Sequence, residues 1–292
     1  MAHGTTHSPT IGIIGGNGQL GSWCAELFRK HGGLVVIADR GTELSNRDVA
    51  ARADIVVVSV PIGVTGAVLE EVSSLLRPEQ LIVDLTSVKT PFVPLMESSK
   101  AEVLSVHPMF APSLSLKTSQ TCIVCPVREG NLAAFFKGVL QQEELRLISM
   151  TPEAHDRMMA VVQGLTHFQA IAAAHCMASM NFQPAESLAS ASPVYRLRLA
   201  MIGRILAQSP RLYAEIQIFN PYVAEVLQNL QRSHERLMAF VTAKDVDGFA
   251  AEFERVRDAL GAFGQESIQE VSRFIPDERT SRAIGGADSD CP

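Results

Sequence analysis

Ile11-Gly-Ile-Ile-Gly-Gly-Asn-Gly-Gln-Leu-Gly21 decides the fold. An apolar β-branched run ends in glycines, and Gly16, Gly18 and Gly21 stand in Gly-x-Gly-x-x-Gly register ahead of a helical pattern. In such a register Gly16 permits the tight turn, Gly18 lets the backbone approach a pyrophosphate, and Gly21 allows close helix–strand packing. Gln19 and Leu20 open the helix, whose first N–H groups lack partners and carry positive potential toward an anion. The next apolar run ends Val35-Val36-Ile37-Ala38-Asp39, an acid about twenty residues on, placed to accept a ribose 2′-hydroxyl. The plain alternative is a structural turn with Asp39 capping a strand end, which leaves the whole pattern as coincidence. Asp39 favours NAD over NADP because a carboxylate repels the extra phosphate, while Arg40 and Arg47 are the residues that would soften that choice. Ser59-Val60-Pro61, closing the third run, either lines the far side of the cofactor or is an ordinary strand-to-helix turn.

Outward from that turn, Leu34–Ala38, Ile55–Val60, Leu81–Leu85, Val103–Val106, Cys122–Val124 and Leu145–Ile148 repeat the apolar signature, with helical patterns such as Gln19–His31 and Val64–Leu76 between them. Alternation of this kind predicts βαβ units about a mostly parallel sheet, and runs without polar interruption predict strands covered on both faces. After Met150 the strand signal stops. Thr151-Pro152-Glu153 reads as a helix start, a capping residue followed by proline, and Ser209-Pro210 repeats it. Tyr213–Phe240 and Val246–Phe274 carry apolar residues at three- and four-residue spacing. The expected organisation is an α/β N-terminal Rossmann-type dinucleotide-binding domain over 1–150, an all-α C-terminal domain for substrate and dimerisation over 151–277, and a flexible tail over 278–292.

The 292 residues, 47% of them hydrophobic, suffice for two packed domains. A formal charge of -6 argues against nucleic acid or an acidic membrane as partner, since both select basic surfaces, whereas a small anionic substrate needs only one positive site. The opening residues lack the basic stretch and apolar core of a secretory signal. The longest apolar stretch, near Ala170–Met180, is interrupted by His175 and falls short of the roughly 18 residues of a membrane span. A cytoplasmic protein is therefore expected, and a homodimer, because all-helical second domains of this length commonly bury part of their apolar surface in a partner. Five cysteines in a long chain do not suggest a disulfide framework. Cys122 and Cys125 sit on a predicted strand whose period of two sends them to opposite faces, and no metal site is expected.

Three further segments stand out: Asp84-Leu-Thr-Ser-Val-Lys89, Ser105-Val-His-Pro-Met-Phe110, and Tyr195 to Pro210. Ligands of open α/β sheets collect at the carboxyl ends of strands, where Ser87 and His107 should lie, and a histidine there can take a proton near neutral pH. The alternative for His107 is a core histidine satisfied by backbone. Leu197, Met201, Arg204 and Gln208 share one helix stripe. A guanidinium on that largely apolar stripe needs an anion, either a carboxylate of the protein or one of a ligand. His167 either lines a pocket or caps a helix, and His31, His155, His175 and His234 read as surface or packing residues.

Taken together, Gly-Gly-Asn-Gly-Gln-Leu-Gly, Val-Ser-Val-Pro-Ile, Val-Asp-Leu-Thr-Ser-Val-Lys, His-Pro-Met-Phe and Ser-Pro-Val-Tyr-Arg-Leu-Arg-Leu-Ala-Met-Ile-Gly-Arg resemble the prephenate dehydrogenase family, nearest to the dehydrogenase half of the bifunctional chorismate mutase–prephenate dehydrogenases. The likeness runs in order from about Ile11 to Phe274. It implies NAD-dependent oxidative decarboxylation of a cyclohexadiene dicarboxylate, prephenate to 4-hydroxyphenylpyruvate, in aromatic amino acid biosynthesis. It further implies that His107 hydrogen-bonds the ring hydroxyl, Ser87 helps orient it, Arg204 pairs with a substrate carboxylate, and His167 lies in the substrate site. Phe219-Asn-Pro-Tyr-Val223 departs from the polar Ser-Glu-Arg-Asn-like stretch of such relatives, and Pro221 should perturb a helix there. No mutase segment precedes Ile11 and no room for a regulatory domain follows, so a stand-alone copy is expected, for which 4-amino-4-deoxyprephenate or arogenate is the alternative substrate. A 3-hydroxyacid dehydrogenase would need a catalytic lysine in another context than that of Lys89, and a catalytically dead dinucleotide sensor would have no use for Ser87, His107 and Arg204.

Overall fold

A computed structural model describes residues 8–111 and 120–274. Seven strands, β1 Thr10–Ile14, β2 Leu34–Ala38, β3 Ile55–Val58, β4 Leu81–Asp84, β5 Glu102–Pro108, β6 Thr121–Arg128 and β7 Arg146–Ser149, form one sheet in the order β2-β1-β3-β4-β5-β6-β7. The first five are mutually parallel, β6 runs antiparallel to β5, and β7 is parallel to β6. Helices α1 Gln19–Lys30 and α5 Asn131–Gln142 cover one face through Phe28 and Phe136. Helices α2 Asn46–Arg52, α3 Ile62–Ser73 and α4 Val93–Glu97 cover the other through Val49, Leu69 and Met96. Every residue of β3 and β4 is buried, which is why their sequence shows no polar alternation. Cys122 packs on the α1/α5 face and Cys125 with Met159 on the opposite one.

Past β7 the described chain is helical: α6 Pro152–Met159, a π-helical segment Ala160–Leu165, α7 Thr166–Ser179, α8 Pro184–Leu188, α9 Pro193–Leu206, α10 Pro210–Phe219, α11 Val223–Ala243, α12 Val246–Leu260 and α13 Phe263–Phe274. The start signals act as caps: the Thr151 hydroxyl accepts from the Ala154 N–H, and Ser209 from the Leu212 N–H. Three expected helices are corrected. Tyr213–Phe240 is two helices, broken at Asn220-Pro221-Tyr222 where Pro221 was expected to perturb a helix, because proline has no N–H to give and disfavours helix at the residue before it. Val246–Phe274 is broken at Gly261, which adopts φ +60. The helix expected over Val64–Leu76 starts earlier, with Pro61 in the N-cap position, and ends at Ser73.

The chain divides into two compact units. One runs to Thr166 and regains Ser209–Val226; the other holds His167–Gln208 and the chain from Leu227. The first unit thus continues past the strand-to-helix change after Ser149: α6 packs on β6 and on the π-helical segment, and α10 packs on α3 and the π-helical segment. Ile216 joins the α2/α3 face of the core, and Gly164 lies so close to Val223 that a Cβ there would come within 2.7 Å of its Cγ2. In the second unit the Glu252 carboxylate is buried and receives Arg236 and Arg255, while Phe240 and Phe249 meet edge to face. Much apolar surface remains on these helices, with Val241, Phe253, Phe263 and Ile268 each more than 60% exposed. Among the described residues no helix is long and apolar enough to cross a membrane.

Candidate active site

The turn after β1 is built as a phosphate cradle, with one reassignment. The left-handed residue is Gly15, φ +83, not Gly16. A Cβ on Gly15 would strike the Ser59 carbonyl, so the turn packs directly on the end of β3. Gly16 is required by contact instead, since a Cβ there would sit 2.6 Å from Ile37. Gly21 lies against the Gly15 carbonyl and the Gly16 Cα, leaving no room for a side chain. Helix α1 starts at Gly18 with no side-chain cap and no acid in its first turn. The N–H groups of Gln19, Leu20 and Gly21 are therefore left to an outside acceptor. Asp39, at the end of β2, receives the Asn17 N–H at 2.9 Å and the Arg40 N–H at 2.7 Å, which sets its carboxylate across the turn, while Arg40 itself is exposed. Ser59 donates its N–H to Ile14 at 2.8 Å, and Pro61 opens α3. These residues fit a dinucleotide: an uncapped helix start for the pyrophosphate and a carboxylate for the ribose.

Register places the second cluster on the same edge. Ile14 pairs with Val58, Val58 with Asp84, and Asp84 with Ser105. His107 stands two residues beyond that line on β5, and half-buried Ser87 lies in the loop after β4. Beneath them is a fully buried ion pair, Lys89 Nζ to Asp84 Oδ2 at 2.8 Å. Lys89 also donates to the Val106 carbonyl at 2.8 Å, and Asp84 accepts from the hydroxyls of Ser105 and Thr86. Every charge in this network is paired, as burial demands.

Among the described residues, His107 Nδ1 meets a side chain: it lies 2.8 Å from Nε2 of His155, whose own Nδ1 lies 2.7 Å from Asp156 Oδ1. His155, read from sequence as a surface or packing residue, is wholly buried at the centre of this line. Burial, the neighbouring His155 and the Lys89 charge push His107 well below the usual histidine value. Burial likewise lowers His155, outweighing the Asp156 hydrogen bond. Burial acts to raise Asp156, but the hydrogen bonds from His155 and Thr90 hold it below the usual carboxylate value. A neutral imidazole beside an ionised carboxylate is equipped to accept a proton.

The second unit holds the other two expected site residues. His167 begins α7 half-buried, and burial together with the nearby Arg204 charge lowers it. Arg204 is exposed on α9, and among the described residues no carboxylate pairs with it. Sequence reasoning also missed the Asp84–Lys89 pair. Its only local signal was an acid ending a strand with a lysine five residues on.

A Rossmann unit with an uncapped glycine turn and a buried histidine line at its strand ends has the parts of a dinucleotide-dependent dehydrogenase. Residues 33–136 match the family described as the nucleotide-binding domain of prephenate dehydrogenase, and residues 151–255 match its dimerization domain. A probable arogenate/prephenate dehydrogenase of Methanocaldococcus jannaschii is 36% identical over 88% of this chain and 62% of its own length. The T-protein of Haemophilus influenzae is 32% identical over 91% of this chain and 71% of its own. In fold, the chain resembles prephenate dehydrogenase from A. aeolicus, solved with hydroxyphenyl propionate and NAD+, with a TM-score of 0.67 at 19% identity over 87% of this chain and 97% of that one. The chain belongs to the prephenate dehydrogenase family.

Proposed function

We propose that the protein is an NAD-dependent dehydrogenase that oxidatively decarboxylates prephenate to 4-hydroxyphenylpyruvate. The observation that carries the reading is the buried His107, hydrogen-bonded to His155, at the edge of the sheet that also bears the glycine turn. NAD, held by the α1 N-terminus with Asp39 on its ribose, supplies the electron acceptor for the hydrogen on ring C4. His107 takes the proton of the C4 hydroxyl as the ring carbonyl forms, and Ser87 orients that hydroxyl. The conjugated carbonyl then draws the electron pair of the bond from C1 to its carboxylate, carbon dioxide leaves, and the phenolate oxygen recovers the proton from His107. Arg204 pairs with a substrate carboxylate and His167 lines the substrate site, so that much of the rate comes from orientation. The exposed apolar helices of the second unit, together with its match to a dimerization domain, support a homodimer.

Arogenate is the second reading, favoured by the double description of the M. jannaschii relative, and 4-amino-4-deoxyprephenate differs only in the group that His107 would meet. Absorbance at 340 nm with prephenate, arogenate and 4-amino-4-deoxyprephenate, each with NAD and NADP, ranks them by kcat/KM. Prephenate with NAD should rank first; a higher rank for either amino compound reassigns the substrate, and NADP ahead of NAD reassigns the role of Asp39.

A further inference from the structure

We propose that Asp156 and His155 are positioning residues that fix the tautomer of His107, leaving the lone pair on its Nε2 for the substrate proton; this rests on the dehydrogenase reading above. The direction of the line follows from a single charge. Asp156 Oδ1 receives the Lys89 N–H at 2.9 Å, and Oδ2 receives the Thr90 N–H at 2.7 Å and the Lys89 N–H at 3.1 Å. Backbone N–H groups can only donate, so both oxygens accept, which suits an ionised carboxylate. Facing it, His155 must present Nδ1–H, which leaves the lone pair of a neutral ring on Nε2. That nitrogen faces His107 Nδ1 at 2.8 Å, and two lone pairs do not face each other, so His107 carries its proton on Nδ1. Water, which would satisfy either tautomer, is kept out: His155 and Asp156 are 0% exposed and His107 is 3%.

Among the described residues, the charged groups acting on the two rings are Asp156 of α6, Lys89 of the loop after β4 and Asp84 of β4, and Cys125 of β6 lies near the same three charges. Burial pushes the Cys125 thiol up to about 11, so it stays neutral. When Nε2 of His107 takes the substrate proton, the Nδ1 proton can pass to His155 Nε2, and the resulting imidazolium faces the Asp156 carboxylate. Only N–H bonds are made and broken, and the line resets when the product oxygen recovers a proton. The same carboxylate, through Lys89 and Thr90, also holds the loop that carries Ser87. One residue thus sets both groups assigned to the reacting hydroxyl.

In protein labelled with 15N-histidine, two-bond proton–nitrogen couplings report which ring nitrogen is protonated, and the His107→Asn variant assigns the signals. At pH 7.5, His107 and His155 should both be Nδ1–H. In Asp156→Asn the amide can turn its NH2 to His155 and reverse the line, so His107 should become Nε2–H, with kcat down about 10²- to 10⁴-fold and KM for NAD little changed. His155→Phe, which cannot relay polarity, should lose the fixed tautomer and a comparable part of kcat; it serves where Asp156→Asn does not fold. A wild-type His107 protonated on Nε2, or variants with wild-type tautomer and kcat, would overturn the proposal. The tautomer readout needs no substrate, so an enzyme inactive on all three compounds sinks the functional reading while the coupling data still decide the positioning role.

Discussion

His107, His155 and Lys89 crowd one buried corner, and holding both rings neutral there has a thermodynamic consequence. In the unfolded chain these histidines titrate near the ordinary value; in the fold both are depressed, as is His167. Below about pH 6.5 the unfolded state therefore binds more protons, so stability is full above that pH and is lost as pH falls toward the folded values. Each buried ring contributes up to about 1.4 kcal/mol per pH unit in that window. The urea midpoint should drop between pH 7 and pH 5.5, and His155→Phe should flatten the drop. A midpoint constant over that range would mean the rings are charged or solvated. His155 could not be found from sequence because its role lies in a partner 48 residues away; locally it is one turn into a helix beside an aspartate, a place where histidines are usually solvated. The placement of His107 and Ser87 at the strand ends was legible because the apolar runs fix where the strands stop.

At the scale of elements, the β1 turn, α1 and the end of β3 are interlocked through backbone contacts. A methyl group on Gly21 would fall on the Gly15 carbonyl, so Gly21→Ala must spread the turn from the helix start that is to hold pyrophosphate. Overpacking of this kind costs about 1–3 kcal/mol. Calorimetry should show a lowered Tm together with weakened NAD binding, and unchanged values for both would remove this turn from the cofactor site. The strands were legible because burial on both faces writes itself as uninterrupted Val and Ile in Ile55–Val58 and Leu81–Val83. Helix ends were less so. Periodicity passes smoothly through Pro221 and Gly261; proline marked the first break in the sequence, whereas the left-handed turn at Gly261 overrules the apolar spacing around it with no such mark. The requirement for a left-handed residue fell on Gly15 rather than Gly16 for a similar reason: the motif fixes spacing, and the neighbouring strand fixes which glycine turns.

For the molecule as a whole, the second unit leaves Phe253 64% and Phe263 61% exposed, and exposed apolar surface of this kind often marks an interaction site. In light scattering at micromolar concentration the protein should show twice the 31.6 kDa chain mass. Phe253→Asp, which buries a charge in any such interface, should move the mass toward one chain. A monomeric wild type would refute the homodimer. The first unit carries a different consequence, one of timing. Its sheet is complete at Ser149, yet Ile216, which closes the core over α3, and Asn220, whose Nδ2 donates to the Asp156 carbonyl, come from Ser209–Val226. At roughly 5–20 residues per second, a ribosome needs several seconds to pass from Thr166 to Val226. Throughout that interval the nascent sheet shows a greasy flank, so a chain arrested between those points is the form most in need of a chaperone.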